Sequence, residues 1–115
     1  MATSCPFCRI VTGEAQADVV HSSDQVLAFR DTNPQAPTHI LLIPKEHVPS
    51  LRELDGGHTE FVEELFRVIR HLAKTEGIDR TGWRLVTNVG SEAGQTVGHL
   101  HFHLLGGRPM RWPPG

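Results

Sequence analysis

Residues 99–105 read His99-Leu100-His101-Phe102-His103-Leu104-Leu105, so that three histidines alternate with apolar residues. Successive side chains of a β-strand leave opposite faces, whereas those of a helix rotate around its axis. The alternation therefore predicts a strand that presents all three imidazoles on one face. Its other face sends Leu100, Phe102 and Leu104 into a core.

A glycine-rich loop directly precedes this segment. Residues 88–98 contain Gly90, Gly94 and Gly98 among mostly small or polar residues. Backbone N–H groups in such loops can approach an anion closely. A row of imidazoles beside an anion-binding loop indicates chemistry on a phosphate group.

The rest of the chain predicts one long helix and several strands. Apolar residues of segment 59–76 fall on one side of a helix and charged residues on the other, which is typical of a helix packed on a core. Because turns connect most of the strands, we expect an α+β fold with an antiparallel sheet. The predicted elements are helices over 6–11 and 59–76 and strands over 19–20, 25–30, 38–43, 83–89 and 99–105.

Length and charge limit the classes of function. A chain of 115 residues is expected to form one domain, residues 1–115, that buries about two-thirds of its unfolded surface. The net charge of −2, without a basic block, argues against nucleic acid and membrane surfaces as partners. The longest apolar run, 40–43, is too short to span a bilayer, and no signal-peptide pattern is evident. We therefore expect a cytoplasmic protein.

The two cysteines, Cys5 and Cys8, form a C-x-x-C pair. In a reducing compartment such a pair indicates metal binding or redox chemistry rather than a structural disulfide. Two thiols cannot complete a tetrahedral zinc site, so further ligands must come from elsewhere in the chain. Two reduced thiols on a short helix remain the alternative.

The central histidine, His101, is the candidate nucleophile. An imidazole with a pKa near its ordinary value of about 6.5 is largely neutral at pH 7. One ring nitrogen can attack while the other donates a hydrogen bond that stabilises the charge formed. The flanking histidines, His99 and His103, are placed to position or protonate phosphate oxygens. Metal binding by the three histidines is the alternative.

The alternating histidines followed by two leucines resemble the signature of the histidine-triad (HIT) superfamily of nucleotide hydrolases and transferases. Segments 29–39 and 43–47 match as well, and the terminal Trp112-Pro113-Pro114-Gly115 resembles the histidine-triad nucleotide-binding (Hint) branch. The resemblance runs from Phe7 to Gly115. It implies a five-stranded antiparallel sheet, one long helix with one or two short ones, and a homodimer whose two sheets join.

The resemblance also implies an activity, the hydrolysis of purine nucleoside 5′-phosphoramidates. His101 would attack the α-phosphorus, expel the amine and form a nucleotidyl-histidine, and water would then release AMP or GMP. No cofactor is expected for this chemistry. The residues that the resemblance makes catalytic are His39, Thr96, His99, His101 and His103.

The nucleotide site is likewise implied by the resemblance. It places apolar side chains around the base and Asp31 on the ribose, although local sequence alone indicates a simple turn aspartate. Arg30 stands where the branch often has histidine, and Thr96 where it commonly has serine near the leaving group. The implied nucleotide-binding residues are Phe7, Ile10, Phe29, Asp31, Asn88, Gly94, Gln95, Thr96, His101, His103 and Trp112.

Bacterial members of the family with a C-x-x-C pair often hold structural zinc. By resemblance the ligands here would be Cys5, Cys8, His47 and His99. Two thiolates and two imidazoles satisfy the tetrahedral preference of that ion.

Three other functions remain open at this stage. The same pocket would serve a non-catalytic nucleotide-binding regulator, although the intact His101 favours an enzyme. A metal-binding protein could use the triad as ligands. A transferase or a dinucleoside polyphosphate hydrolase of the same superfamily is the third, and the short Trp-Pro-Pro-Gly ending argues against it.

Overall fold

Five antiparallel strands and two α-helices make up the computed structural model, which describes residues 4–115. The elements are α1 (Pro6–Thr12), β1 (Val19–Ser22), β2 (Val26–Arg30), β3 (Thr38–Pro44), α2 (Thr59–Thr75), β4 (Trp83–Val86) and β5 (Phe102–Gly106). The sheet order is β1-β2-β3-β5-β4, and every neighbouring pair is antiparallel. This architecture confirms the predicted α+β fold.

The central strand β3 is buried along its whole length, because both faces of the sheet are covered. Ile40 and Leu42 point into a core shared with α2, whereas Leu41 and Ile43 belong to a second cluster with residues of α1. Leu100, Phe102 and Leu104 lie in the core beneath α2. The side chains that alternate with them lie on the α1 side.

Two strands are shorter than the sequence predicts. β4 ends at Val86 instead of Val89, and β5 begins only at Phe102, so His99 and His101 precede the strand. The hydrogen-bonding partners explain the difference. The Leu100 N–H donates to the Val48 carbonyl, and the His101 carbonyl accepts from the Thr87 hydroxyl, in place of strand partners.

The long helix begins and ends close to the predicted positions. Asp55 accepts the Gly57 N–H at 2.8 Å and so caps a 3-10 turn, Gly56–His58, that leads directly into α2. Gly77, with φ of +74°, follows the helix in the left-handed conformation that glycine adopts easily. None of the helices in residues 4–115 combines the length and the apolar character that a membrane span requires.

Candidate active site

The ring of His101 is held by a backbone carbonyl. Its Nδ1 lies 2.8 Å from the carbonyl oxygen of His99, and the side chain is buried. A carbonyl oxygen can only accept, so Nδ1 carries the hydrogen and donates. In the neutral ring Nε2 therefore carries the lone pair, which is the state a nucleophile needs.

His103 is held in the opposite tautomer by a chain of hydrogen bonds. The Gln35 N–H donates to His39 Nδ1 at 3.0 Å, so His39 must carry its hydrogen on Nε2. That Nε2–H donates to His103 Nδ1 at 2.9 Å, with Asp31 Oδ2 as a second acceptor at 3.4 Å. A neutral His103 consequently carries its own hydrogen on Nε2, where it can donate to a ligand.

Burial keeps the rings of His39 and His103 neutral at pH 7. Burial, together with the neighbouring His101 and His39, lowers the pKa of His103 to about 4 against the opposing effect of Asp31. Burial also lowers the pKa of His39, again opposed by the Asp31 carboxylate. The tautomers described above are therefore those of the neutral rings.

The first triad histidine faces the cysteines. His99 Nε2 donates to the Pro44 carbonyl at 2.9 Å, which leaves the Nδ1 lone pair directed at Cys5 Sγ at 3.4 Å and Cys8 Sγ at 3.5 Å. Both ring nitrogens are thus engaged. The contact from His99 to the central histidine is made by its backbone carbonyl, which lies 2.8 Å from His101 Nδ1.

His47 completes a group of four possible metal ligands. Its Nδ1 lies 3.1 Å from Cys8 Sγ, and the ligand atoms of Cys5, Cys8, His47 and His99 all lie within 4.8 Å of one another. Burial and the adjacent Cys5 raise the pKa of Cys8 to about 11. Forming the Cys8 thiolate therefore costs free energy, which a bound divalent cation would offset. The donor set, with a His99 Nδ1 lone pair that faces both thiols, fits a zinc ion, which would tie α1 to the segments carrying His47 and His99.

Asp31, His39 and His103 form a second group whose possible ligand atoms lie equally close together, but its chemistry differs. Because the Gln35 N–H occupies the lone pair of His39 Nδ1, the Nε2 atom that faces the other two residues is protonated. A protonated ring nitrogen is not a metal ligand. This group is therefore a hydrogen-bond relay.

The predicted base-binding residues come together beside His101. Phe7, Ile10 and Phe29 belong to one apolar cluster on the α1 side of the sheet. The Phe7 ring meets His101 edge-on with centroids 5.2 Å apart, and it meets Phe29 at 5.5 Å. Asp31 lies on the other side of the triad, where the Asn33 N–H donates to its Oδ1 at 2.8 Å.

The glycine-rich loop is held by several hydrogen bonds of its own. The Gly94 N–H donates to the Ser91 carbonyl and the Gln95 N–H to the Gly90 carbonyl, each at 3.1 Å. The Gln95 side-chain amide donates to the carbonyls of Pro49 and Val97. These hydrogen bonds fix the conformation of the loop, and phosphate binding by Gly94 and Gln95 stays a prediction.

Three other predicted residues lie apart from the triad's hydrogen bonds. Thr96 is exposed and lines a cavity of about 430 Å³ with Cys5 and His47. Trp112 is 82% exposed, and Asn88 is half-buried. Within residues 4–115 no hydrogen bond joins any of the three to His101 or His103.

Sequence reasoning missed the groups that set the tautomers. These are the Gln35 N–H and the carbonyls of Pro44 and His99. The only sequence feature that marked Gln35 was its position inside the segment 29–39, which matches the family. Backbone groups carry no residue signature, so only the folded chain identifies them.

Comparison with known proteins agrees with this geometry. The family model described as "HIT domain" matches residues 12–110. The chain is 42% identical over 110 residues to the purine nucleoside phosphoramidase of Escherichia coli strain K12, which covers 96% of this chain and 92% of the relative. It is 47% identical to the 14 kDa zinc-binding protein of Zea mays, covering 95% of this chain and 86% of the relative.

A solved structure is also similar to this protein. The HIT family hydrolase from Legionella pneumophila Philadelphia 1 superposes with a TM-score of 0.94 at 47% identity, covering 97% of this chain and all of the other. Sequence, fold and triad geometry therefore agree that the chain belongs to the HIT family.

Proposed function

We propose that this protein hydrolyses purine nucleoside 5′-phosphoramidates by nucleophilic catalysis at His101. The observation that supports this most directly is the hydrogen bond from His101 Nδ1 to the His99 carbonyl, which leaves the lone pair on Nε2. The phosphoramidase name of the 42% identical bacterial relative supports the choice of the P–N bond.

In the first step a bond forms between His101 Nε2 and the α-phosphorus while the P–N bond breaks. The leaving amine takes up a proton from solvent water as the P–N bond breaks, and the imidazolium of the nucleotidyl-histidine is stabilised by the hydrogen bond that Nδ1–H donates to the His99 carbonyl. In the second step water attacks phosphorus, the electron pair of the N–P bond returns to His101 Nε2, and the proton of the attacking water passes to solvent as the nucleoside monophosphate is released. The Nε2–H of His103 donates to a phosphate oxygen in both steps.

The surrounding residues supply recognition. Phe7, Ile10 and Phe29 form the apolar wall for the purine, and the Asp31 carboxylate accepts from the ribose hydroxyls. Cys5, Cys8, His47 and His99 hold a structural zinc that takes no part in the chemistry. The expected homodimer completes the proposal, since the edge strand β4 exposes 37% of Trp83 and offers unpaired backbone groups.

Turnover of an adenosine 5′-phosphoramidate by the wild type and by His101→Ala tests the proposal. We expect the substitution to lower kcat by about a thousandfold or more, because the covalent step is lost. Binding of AMP, measured by isothermal titration calorimetry, should change little. His71→Ala, which removes an exposed histidine of α2, is the matched control and should leave turnover intact.

A non-catalytic nucleotide-binding regulator makes the opposite prediction. In that case wild type and His101→Ala would bind AMP equally and neither would release amine above the uncatalysed rate. Equal turnover by both proteins would also overturn the assignment of His101.

A further inference from the structure

An arginine outside the triad holds the start of the relay. Arg108 follows β5 and is exposed, yet its guanidinium is fixed: Nε donates to the Gln35 carbonyl at 3.0 Å and Nη1 to the Pro109 carbonyl at 2.9 Å. The side chain therefore ties the C-terminal segment to the loop between β2 and β3.

The packing next to Arg108 brings these two segments together. Gly107 has φ of +91°, and a Cβ at this position would lie 2.9 Å from Pro37 Cβ. Only glycine combines that conformation with so close an approach. The chain after β5 thus lies directly against the loop that contains Gln35.

Gln35 links the arginine to the relay. Its carbonyl accepts from Arg108, its N–H donates to His39 Nδ1 at 3.0 Å, and its side-chain amide donates to the Asn33 carbonyl at 3.0 Å. A residue held at both backbone groups has little freedom to rotate. Three hydrogen bonds in sequence, Arg108 to Gln35, Gln35 to His39 and His39 to His103, therefore connect an exposed cation to the triad.

We propose that Arg108 is a positioning residue for the hydrolysis: by fixing Gln35 it keeps His39 in the tautomer that makes His103 a donor at Nε2. The inference rests on the proposed function, since it assigns His103 the task of donating to a phosphate oxygen. If Gln35 turns away, His39 can carry its hydrogen on Nδ1. His39 Nε2 then accepts from His103 Nδ1–H, and His103 Nε2 becomes a lone pair that repels phosphate oxygens.

The first experiment measures the tautomer without any substrate. Nitrogen-15 NMR of the histidine rings in the unliganded full-length protein should show His103 protonated on Nε2 in the wild type. In Arg108→Ala the signals should shift towards the Nδ1-protonated form. The titratable groups that face His103 are His101, His39 and Asp31, and the comparison is made at pH 7.5, where burial keeps His103 neutral.

The second experiment measures kinetics with an adenosine 5′-phosphoramidate. Arg108→Ala should lower kcat about fivefold, the effect of one lost hydrogen bond, while KM stays within about twofold. Arg108→Lys keeps the charge but not the paired donors, so it should behave like the alanine variant. Arg70→Ala, an exposed arginine on α2, is the matched control and should show wild-type kinetics.

A double-mutant cycle separates positioning from general destabilisation. If Arg108 acts through His39, Arg108→Ala should cost nothing further in kcat once His39→Gln is present. Additive losses in kcat, or an unchanged His103 tautomer in Arg108→Ala, would overturn the inference. Absence of phosphoramidate turnover in the wild type would overturn the proposed function instead, and the NMR result would still decide the role of Arg108 in the relay.

Discussion

Two histidines only two positions apart carry their ring hydrogens on opposite nitrogens. His101 donates from Nδ1 to a carbonyl, whereas His103 accepts at Nδ1 from His39. The first therefore presents a lone pair at Nε2 and the second presents an N–H. Histidine thus supplies both a nucleophile and a hydrogen-bond donor. The backbone groups at the start of each set of hydrogen bonds determine which ring nitrogen carries the hydrogen.

The lowered pKa of His103 predicts a pH-dependent stability. The unfolded ring titrates near its ordinary value of about 6.5, whereas burial lowers the folded pKa to about 4. Between these values the unfolded chain binds a proton that the folded chain excludes, so the free energy of unfolding should fall as the pH falls from about 6.5 to 4. Above pH 6.5 this contribution is fully present.

Urea unfolding between pH 4 and 7.5, with the metal content of all samples matched, measures the effect. His103→Asn should show a shallower fall in unfolding free energy than the wild type over this range. Arg70→Ala, which removes no histidine, should retain the wild-type slope. Parallel curves for the wild type and His103→Asn would contradict the assignment.

At the residue scale, the sequence pattern predicted where the side chains lie but not their hydrogen-bond partners or tautomers. The alternation in 99–105 predicted which residues enter the core, and Leu100, Phe102 and Leu104 do so. It did not predict that His99 would direct both ring nitrogens at structural partners. Such roles depend on carbonyls and N–H groups that every residue possesses.

At the element scale, helix α1 depends on contacts with the rest of the protein for its stability. A helix of seven residues is too short to be stable in water, although its ends are well defined. Cys5 Sγ accepts the Cys8 N–H at 3.3 Å, and Gly13 ends the helix in the left-handed conformation. Phe7 packing and the two cysteines therefore attach the helix to the sheet.

Metal binding should stabilise α1 and with it the wall of the nucleotide site. We expect the purified wild type to hold about one zinc ion per chain and Cys8→Ser to hold much less, because a three-ligand site binds zinc weakly. Elemental analysis measures the content, and thermal unfolding with and without a chelator measures its effect on Tm.

The control is Arg9→Ala, which changes an exposed residue of the same helix and should keep both metal and Tm. If the wild type holds no zinc when purified with the metal present, or if a chelator leaves its Tm unchanged, the Cys5–Cys8–His47–His99 group is not a structural metal site.

Element prediction succeeded where periodicity is strong. The apolar face of α2 and the continuous apolar run of β3 were both found from the sequence, to within one residue at their ends. It failed at the ends of β4 and β5, where the hydroxyl of Thr87 and the carbonyl of Val48 replace strand partners. Those interactions join residues far apart in sequence and leave no local pattern.

At the scale of the whole molecule, the C-terminal segment extends away from the core. Trp112 is 82% exposed, and the segment is held where Arg84 Nη2 donates to the Arg111 carbonyl at 3.1 Å. An exposed tryptophan at this position is explained if a second copy of the chain covers it. We therefore expect light scattering after size exclusion to give twice the chain mass of 12.8 kDa.

Deleting residues 111–115 should change selectivity for the amine more than affinity for the nucleotide. If the chain forms the proposed isologous dimer, we expect each C-terminal segment to lie near the partner's pocket, on the side from which the amine leaves. Relative kcat/KM values across a panel of adenosine phosphoramidates with different amines measure the selectivity, and AMP binding provides the reference. Unchanged relative rates across the panel would show that the segment does not reach the leaving group.

The covalent step at His101 can be observed directly. The measurement is rapid acid-free quenching of a reaction with an adenosine 5′-phosphoramidate, followed by peptide mass spectrometry. We expect an adenylyl group on His101. An adduct on another residue, or hydrolysis that proceeds at the wild-type rate in His101→Ala, would contradict it.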